Sequence, residues 1–467
     1  MRSLSSDYRE NVAFMNRELR VSESFDVLCK TLKLSDGELT LYYIDGFVKD
    51  TVMQKLMMSF SSVKELPTSA REFMESSVPY VETDVTSDAD TMIQMVMSGA
   101  SLMLGSKFGA DGIIIDSRTY PARETAEPEG DKVMLGARDG FVETLIFNTA
   151  LVRRRIRNPQ LTMNYMTVGS DSKTDVVLCY MADRADLEYV ESLRKKLSSV
   201  RTGALTVGHE SLAECLIKKR WYNPFPKIRT TERPDSAAAQ LLEGGVLIMI
   251  DNTPQVMVLP STIFDFMQES NDFYFPPLTG TYIRLVRYAV FLMTLVITPL
   301  WFLMTEYPQF VPGWLTFALP DHTGNLPIIA QLLIVEFIID ALRLASLNTP
   351  NMLNNSLSVV GGLILGDFAV SIGWLIPEVI LYMAFVSIAN FTQRSYELGY
   401  AVKFLRILLL IMTAIFGIWG FAGGMVLCIV LLATNSTVNG KRNYLYPLIP
   451  FNGRALATLI FRVQKDK

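Results

Sequence analysis

Four acidic residues lie in the most apolar part of this 467-residue chain. Glu336 and Asp340 are one helical turn apart, and Asp367 and Glu378 belong to LGDFAVSIGWLIPEV, an apolar segment interrupted by glycine and proline. A charged side chain at the centre of a membrane span costs about 3 kcal/mol or more, so such groups normally face a cavity or a partner. The four acids are therefore candidate residues of a pore or cavity.

The surroundings of the four acids allow different roles. Glu336 and Asp367 could line a path for cations. Asp340 can instead form a structural ion pair near the membrane surface with Arg343, three residues later on the same helix face. Glu378 directly follows a proline and could stabilise the start of a returning half-helix, where a carboxylate is favourable.

The hydropathy of the chain changes sharply near its middle. Residues 1–281 have the charge density of a soluble protein, whereas long apolar runs dominate residues 282–434. About 20 consecutive apolar residues are enough to cross a bilayer as a helix. Arg284 and Arg287 precede the first run, and the connection at 305–327 contains no lysine or arginine. By the positive-inside rule, the first span should lead outward from the cytoplasm.

The later apolar segments are predicted to cross the membrane and return. A second span is expected at about 327–344. Segment 356–390 is broken by glycines and Pro377, and segment 404–434 contains FGIWGFAGG, a candidate turn. Such breaks are tolerated at membrane depth when they are buried in protein or line a wet cavity. We predict an α-helical polytopic domain with broken or re-entrant helices, an even number of crossings from four to six and both termini in the cytoplasm.

The first half of the chain shows alternating strand-like and helix-like patterns, which predict two α/β subdomains. ELTLYYIDGFVKD and DGIIID are typical of strands, TMIQMVMSGASLMLG at Thr91 to Gly105 has helical spacing, GALTVG resembles a strand, and VLIMIDNTPQVMVLP predicts a hairpin. A helix from Ala137 to Gln160 ends with three arginines, Arg153, Arg154 and Arg155. These arginines could contact an anionic partner or a lipid headgroup, but runs of this kind are more typical of a solvated helix end, which is the interpretation we favour.

The predicted fold class is α+β with several domains. The first residues lack a basic leader followed by an apolar run, so the first half is expected in the cytoplasm. The predicted boundaries are a first cytoplasmic α/β subdomain at 1–136, a linker helix at 137–160, a second subdomain at 161–281, the membrane domain at 282–435 and a cytoplasmic tail at 436–467.

Composition argues against several classes of function. The net charge of −4 and the lack of a basic stripe argue against nucleic-acid binding. The four cysteines, Cys29, Cys179, Cys215 and Cys428, are far apart, and there are only two histidines. That spacing does not fit a zinc site or a disulfide framework. We expect reduced, buried cysteines, no metal, no cofactor and no enzymatic activity.

Three long motifs resemble the A-subunit family of spore germinant receptors, the GerA family. They are KIRTTERPDSAAAQLLEGGVLIMIDNTPQV, PEVILYMAFVSIANFTQRSYELGYAVKFLR and YLYPLIPFNGRAL. The resemblance implies a multi-pass protein of the spore inner membrane that acts in germination. It also implies a homo-oligomer, in the family a pentamer, that releases monovalent cations or amplifies the receptor signal beside other germination membrane proteins.

The resemblance also places the family's motif residues on this chain, and it implies structural or gating roles for them, not catalytic ones. These residues are Glu232, Arg233, Pro234, Asp235, Leu242, Glu243, Gly244, Tyr396, Glu397, Pro447, Pro450, Phe451, Asn452 and Gly453.

An ion channel or signalling subunit is the leading hypothesis, and two alternatives stay open. A secondary transporter would place its site at the broken helices, and internal sequence repeats would favour it. A non-conducting scaffold for receptor assembly would need no ion path.

Overall fold

The computed structural model divides the chain into two compact units. It describes residues 2–119, 136–217, 222–269, 271–322, 324–348, 366, 368–438 and 443–462. The first unit, here the sheet unit, comprises Met1–Lys219 and Ile228–Pro260. The second, here the helical unit, comprises Arg220–Lys227 and Ser261–Lys467.

The sheet unit begins with a five-stranded sheet in the order β1-β2-β4-β5-β3, and every neighbouring pair is antiparallel. Its strands are β1 Val27–Lys33, β2 Glu38–Ile44, β3 Thr83–Thr86, β4 Ser101–Gly105 and β5 Gly112–Ile115. The helices around it are α1 Tyr8–Glu18, α2 Asp50–Ser61, α3 Ala70–Ser77 and α4 Ala89–Met97. Apolar clusters cover both of its faces.

The second sheet of this unit has the order β6-β7-β9-β10-β8 and is also antiparallel throughout. Its strands are β6 Leu161–Val168, β7 Thr174–Met181, β8 Arg229–Thr231, β9 Val246–Ile250 and β10 Val256–Leu259. The helices here are α5 Leu145–Arg155, α6 Leu187–Ser198, α7 His209–Leu216 and α8 Pro234–Leu242.

The antiparallel sheets correct the α/β prediction for the two subdomains, because an α/β unit has a parallel sheet. Only four residues separate β1 from β2, and so short a connection can join antiparallel strands but not parallel ones. The mixture of helices and strands is as predicted, and the β9–β10 hairpin is confirmed.

Two local predictions in the sheet unit are wrong. The helix predicted at Thr91 to Gly105 ends at Met97, and the chain turns at Gly99, which has φ +102°, before entering β4. All five residues of β4 are buried, and a fully buried apolar strand has no alternation to distinguish it from a helix. Residues 203–208, predicted as a strand, form turns and bends.

Arg153 joins the two sheets from a fully buried position. Its Nε lies 2.7 Å from Asp26 Oδ2, and its Nη2 donates to Asp26 Oδ1 at 3.0 Å and to Leu161 O at 2.9 Å. Ser24 Oγ donates to Asp26 Oδ1 at 2.6 Å and accepts from Met163 N at 3.1 Å. Asp26 and Ser24 are 127 and 129 residues from Arg153 in the sequence, and Arg153 Nη2 also donates to Ser24 Oγ at 3.2 Å.

The prediction of a solvated arginine end is therefore wrong for this helix. Arg153 has no exposed surface, and Arg155 forms a salt bridge with Asp139 at 2.6 Å. Arg154 is exposed. Helix α5 also occupies only the middle of the predicted range.

The helical unit contains the apolar helices. They are α9 Ile263–Met267, α10 Asn271–Tyr274, α11 Pro277–Glu306, α12 Ile328–Asn348, α13 Ala369–Ser371, α14 Pro377–Phe391, α15 Tyr396–Ala433 and α16 Gly453–Ile460. Among the described residues, α11 and α15 are long and apolar enough to cross a membrane, judged by length and composition alone.

Helix α15 consists of two arms that pack side by side. Gly417 has non-helical angles, φ 57° and ψ −134°. A Cβ added to Gly424 would lie 3.6 Å from the Cα of Leu409, although fifteen residues of straight helix would separate the two by about 22 Å. The chain therefore reverses at Gly417, which confirms the turn predicted within FGIWGFAGG.

The helices run between two ends of the helical unit. At one end, the ring of Tyr307 lies against Gly417, and Asn325 N donates to Gly373 O at 3.1 Å. Exposed aromatic side chains cluster in these segments, namely Phe310, Trp314, Phe317, Trp374 and Trp419. At the other end, Arg284 Nη1 donates to Thr458 O and Leu459 O, each at 3.2 Å. Arg287 follows Arg284 by one turn of α11, and Arg462 N donates to Thr281 Oγ1 at 3.1 Å. One end is thus rich in aromatic residues, and the other carries these three arginines.

Candidate functional site

The helical unit has a cleft of about 610 Å³ lined by α12, α14 and α15. Its ionisable lining residues are Glu336, Asp340, Arg343, Lys403 and Arg406. Two of the four acids predicted from sequence therefore lie in one cleft.

Glu336 is the most enclosed of these acids. Its carboxylate accepts a hydrogen bond from Arg406, and Lys403 Nζ lies 3.4 Å from Oε1. Arg406 Nη1 also donates to Thr294 O of α11 at 3.0 Å. A charge in so apolar a setting is tolerated when it is paired and hydrogen-bonded. The network therefore joins α11, α12 and α15.

Asp340 lies one turn further along α12 and is more accessible, with 35% of its side chain exposed. It forms a salt bridge with Lys403. In the part of the chain that the structure describes, the ion pair of Asp340 is with Lys403 and not with Arg343. One lysine thus connects both acids.

Arg343 lies against three aromatic rings at the mouth of the cleft. Its Cζ is 5.2 Å from the ring centroids of Phe391, Tyr396 and Tyr400. Cation–π contacts of this kind hold a guanidinium group through its flat face. The rings therefore set the position of Arg343 beside the more exposed acid, Asp340.

The other two predicted acids are placed differently. Glu378 is half-buried in the first turn of α14, where the helix dipole stabilises a carboxylate. It does not line the cleft. Asp367 lies outside the described residues. Sequence reasoning missed Gln331, a buried residue in the first turn of α12. Its Oε1 accepts from Ile376 N, just before α14, at 2.9 Å, and its Nε2 donates to Leu326 O at 2.8 Å.

The first family motif builds the start of α8. Arg233 is buried and forms two hydrogen bonds with Asp235, Nε to Oδ1 at 3.0 Å and Nη2 to Oδ2 at 2.6 Å. Pro234 occupies the first turn of the helix, where its missing N–H costs nothing. Glu232 accepts at its backbone O from Phe141 N at 2.8 Å.

The same motif ends α8. Glu243 is the C-terminal cap residue, and Gly244 has φ +92°. A Cβ at Gly244 would lie 2.9 Å from Arg184 O, so glycine is required there for both space and conformation. These contacts give the motif a structural place in the sheet unit.

The later motifs lie in the helical unit. Tyr396 begins α15 and lines the cleft, and Glu397 lies in the first turn of the same helix. Asn452 caps α16 by accepting from Ala455 N at 3.2 Å. The adjoining motif residues Pro450, Phe451 and Gly453 are exposed.

The cations of the cleft were missed as site residues, although Lys403 and Arg406 are visible in the sequence. They lie three residues apart inside an apolar run, which places both on one helix face. That spacing matches the one-turn separation of Glu336 and Asp340 and is the signal that could have found the network.

The cysteines only partly match expectation. Cys179 and Cys428 are buried, Cys29 is half-buried and Cys215 is exposed. Burial raises the pKa of the Cys179 thiol well above its ordinary value, so this thiol is unreactive at neutral pH. Within the described ranges, no group of three or more His, Cys, Asp or Glu residues could hold a metal ion.

Two antiparallel sheets, apolar helices suited to a bilayer and a charged cleft among them define a membrane-associated α+β protein. A family model described as "Bacillus/Clostridium GerA spore germination protein" matches residues 15–467. The chain therefore belongs to the GerA family of spore germination proteins, which is not a family of enzymes.

Individual relatives agree with this assignment. The chain is 35% identical over 461 residues to Stage V sporulation protein AF of Bacillus subtilis, covering 98% of this chain and 92% of the relative. It is 26% identical to Spore germination protein KA of Bacillus subtilis, covering 98% and 85%. These matches confirm the resemblance found in the motifs.

One solved structure is also similar. The crystal structure of the N-terminal domain of the A subunit of the Bacillus megaterium spore germinant receptor GerK3 matches 56% of this chain and 98% of its own. The sequence identity is 24% and the TM-score is 0.43.

Proposed function

We propose that this protein is a subunit of an oligomeric channel that releases monovalent cations during spore germination, with its path passing the cleft between α12, α14 and α15. The observation that carries the proposal is the network of Glu336, Asp340, Lys403 and Arg406 within apolar helices. Ionisable groups inside a membrane domain usually mark ion paths or coupling sites because they are otherwise costly. Membership of a germination family supplies the biological setting.

In this proposal the two acids have separate roles. Glu336 is enclosed by two cations, so it holds α12 against α15. Asp340 has one cation partner and an exposed carboxylate surface, so it is the acid that meets permeating ions. Asp367 stays a predicted pore residue.

The proposed location is the spore inner membrane, with the sheet unit and both termini in the cytoplasm and with other germination membrane proteins as partners. The arginine-rich end of the helical unit fits the inner surface, and the aromatic end fits the outer interface. The described contacts of the helical unit support five passages between these ends, made by α11, α12, α14 and the two arms of α15, and two termini on one side require an even total.

Potassium flux from liposomes containing the purified full-length protein tests the proposal. We expect flux with the parent, and a several-fold lower rate with Asp340→Asn, because the change leaves Lys403 less compensated and makes the cleft more positive. Asp367→Asn tests the remaining pore prediction in the same assay.

Glu378→Gln is the matched control, because it also neutralises an acid of the helical unit but one outside the cleft. It should leave the flux unchanged. If the parent passes neither potassium nor sodium, this chain alone is not a channel, and the scaffold alternative gains support. If Asp340→Asn and Glu378→Gln behave alike, the cleft is not on the ion path.

A further inference from the structure

The guanidinium of Arg343 has an unused capacity for hydrogen bonding. Its face is held by Phe391, Tyr396 and Tyr400, each centroid 5.2 Å from Cζ. Within the described residues, its N–H groups have no hydrogen-bond or salt-bridge acceptor, while the nearby acids are paired with Lys403 and Arg406. Stacking on the rings leaves the five edge donors of an arginine available to an anion.

The ionisable residues that line the cleft leave a place for an anion. Three basic residues, Arg343, Lys403 and Arg406, face two acidic ones, Glu336 and Asp340, which leaves one excess positive charge. A monoanion bound beside Arg343 would neutralise that excess, in a setting where apolar helices strengthen electrostatic interactions.

The backbone of Arg343 lies inside the hydrocarbon core, near enough to its edge for the long side chain to reach the lipid headgroups. It lies fifteen residues along α12, or about 22 Å from the aromatic end, in a hydrocarbon core that is about 30 Å thick. Phe391, which lines the cleft, is an exposed apolar side chain, and so are Leu344 and Ile388, each of which follows a lining residue in the sequence. An acyl chain could cover this surface while the headgroup reaches the guanidinium.

We propose that the mouth of this cleft is a phosphate-binding site built on Arg343, and that its ligand is the phosphate of an anionic phospholipid of the inner leaflet. Basic pockets between membrane helices commonly recognise such headgroups. Arginine suits this role because its planar fork can donate two parallel hydrogen bonds to phosphate.

Thermal unfolding of the full-length protein in detergent tests the site. Phosphatidylglycerol should raise the Tm of the parent, and phosphatidylcholine at the same concentration should raise it much less. In Arg343→Gln the phosphatidylglycerol shift should fall to less than half. Arg343→Lys keeps the charge but loses the fork and the stacked plane, so its shift should be intermediate.

Arg454→Gln is the matched control, because Arg454 is an exposed arginine on α16 that does not line the cleft. Its lipid shift should equal that of the parent. Glycerol phosphate provides the soluble arm: an equal shift from this compound would keep the phosphate site but assign it to a soluble ligand.

Two results would overturn the site. One is a full phosphatidylglycerol shift in Arg343→Gln, and the other is an equal response to phosphatidylcholine in the parent. Should Arg343→Gln fail to fold, native mass spectrometry of Arg343→Lys decides instead, and undiminished retention of phosphatidylglycerol would refute the proposal. None of these measurements depends on ion flux, so this site and the proposed channel can fail separately.

Discussion

The two units of the protein each contain a network of paired charges, but the networks differ in their access to water. In the sheet unit, Arg153 and Asp26 are almost completely buried, and hydrogen bonds from Ser24 and to Leu161 complete the network. In the helical unit, Asp340 opens into a cleft. The same ion-pair chemistry is enclosed in one place and accessible in the other.

That difference separates a structural network from a candidate functional one. A buried pair whose donors and acceptors are satisfied fixes the elements that contribute to it, since losing one partner leaves a charge without compensation. A network with one accessible member can exchange that member's interactions for those of an ion or ligand. Access to water, more than the number of ion pairs, distinguishes the two sites.

The largest effect on stability is expected in the enclosed network. Asp26→Ala should lower the free energy of unfolding of the sheet unit by about 3–5 kcal/mol, because it leaves the buried charge of Arg153 without its carboxylate partner. Hydrogen exchange of amides in β1 and β6 under increasing urea measures the change. Arg154→Ala, at the neighbouring exposed position, should change it by no more than about 0.5 kcal/mol. Equal effects of the two variants would show that the buried pair does not hold the sheets together.

A smaller effect is expected where apolar helices enclose Glu336. Arg406→Gln should cost about 1–3 kcal/mol, since the acid keeps Lys403 as a partner. A double-mutant cycle with Glu336→Gln, followed by thermal unfolding in detergent, should give a coupling energy of about 0.5–3 kcal/mol. Strictly additive effects would mean that the two side chains do not interact.

The smallest effect on stability is expected at Asp340. Because its carboxylate is partly exposed, Asp340→Asn should cost less than about 1 kcal/mol. In the flux assay the same variant is expected to lower the rate of potassium flux several-fold. A small loss of stability together with a large loss of flux would separate Asp340 from the enclosed network. A large loss of stability would place Asp340 with the structural network instead.

Sequence reasoning succeeded where a local pattern has one structural outcome. Proline is typical of the first turn of a helix and glycine of the position after its end, and Pro234 and Gly244 occupy those two places in α8 for backbone reasons that need no distant partner. The acids at 336 and 340 share a helix face because four residues make about one turn. Gly417 lies in the segment whose glycines predicted a turn.

Sequence reasoning failed where contacts between distant segments of the chain decide the structure. Arg406 is 70 residues from Glu336, and Arg153 is 127 residues from Asp26, so no local pattern joins either pair. Three consecutive arginines look solvated until Asp26, just before β1 of the first sheet, supplies a carboxylate for the first of them. The apolar residues of β4 likewise fit a helix or a buried strand until β2 and β5 pair with them.

Gly417 decides at which end of the helical unit the chain leaves α15. A straight helix of 38 residues would be about 57 Å long, nearly twice the thickness of a hydrocarbon core of about 30 Å. Because the chain turns back at this glycine, Tyr396 and Thr434 lie at the same end of the helical unit. The PLIPFNG motif and α16 lie at that end too, where Arg284 contacts Thr458. A side chain at position 417 would meet the Tyr307 ring and require an unfavourable positive φ. One residue without a side chain thus decides which end of the helical unit displays the last family motif.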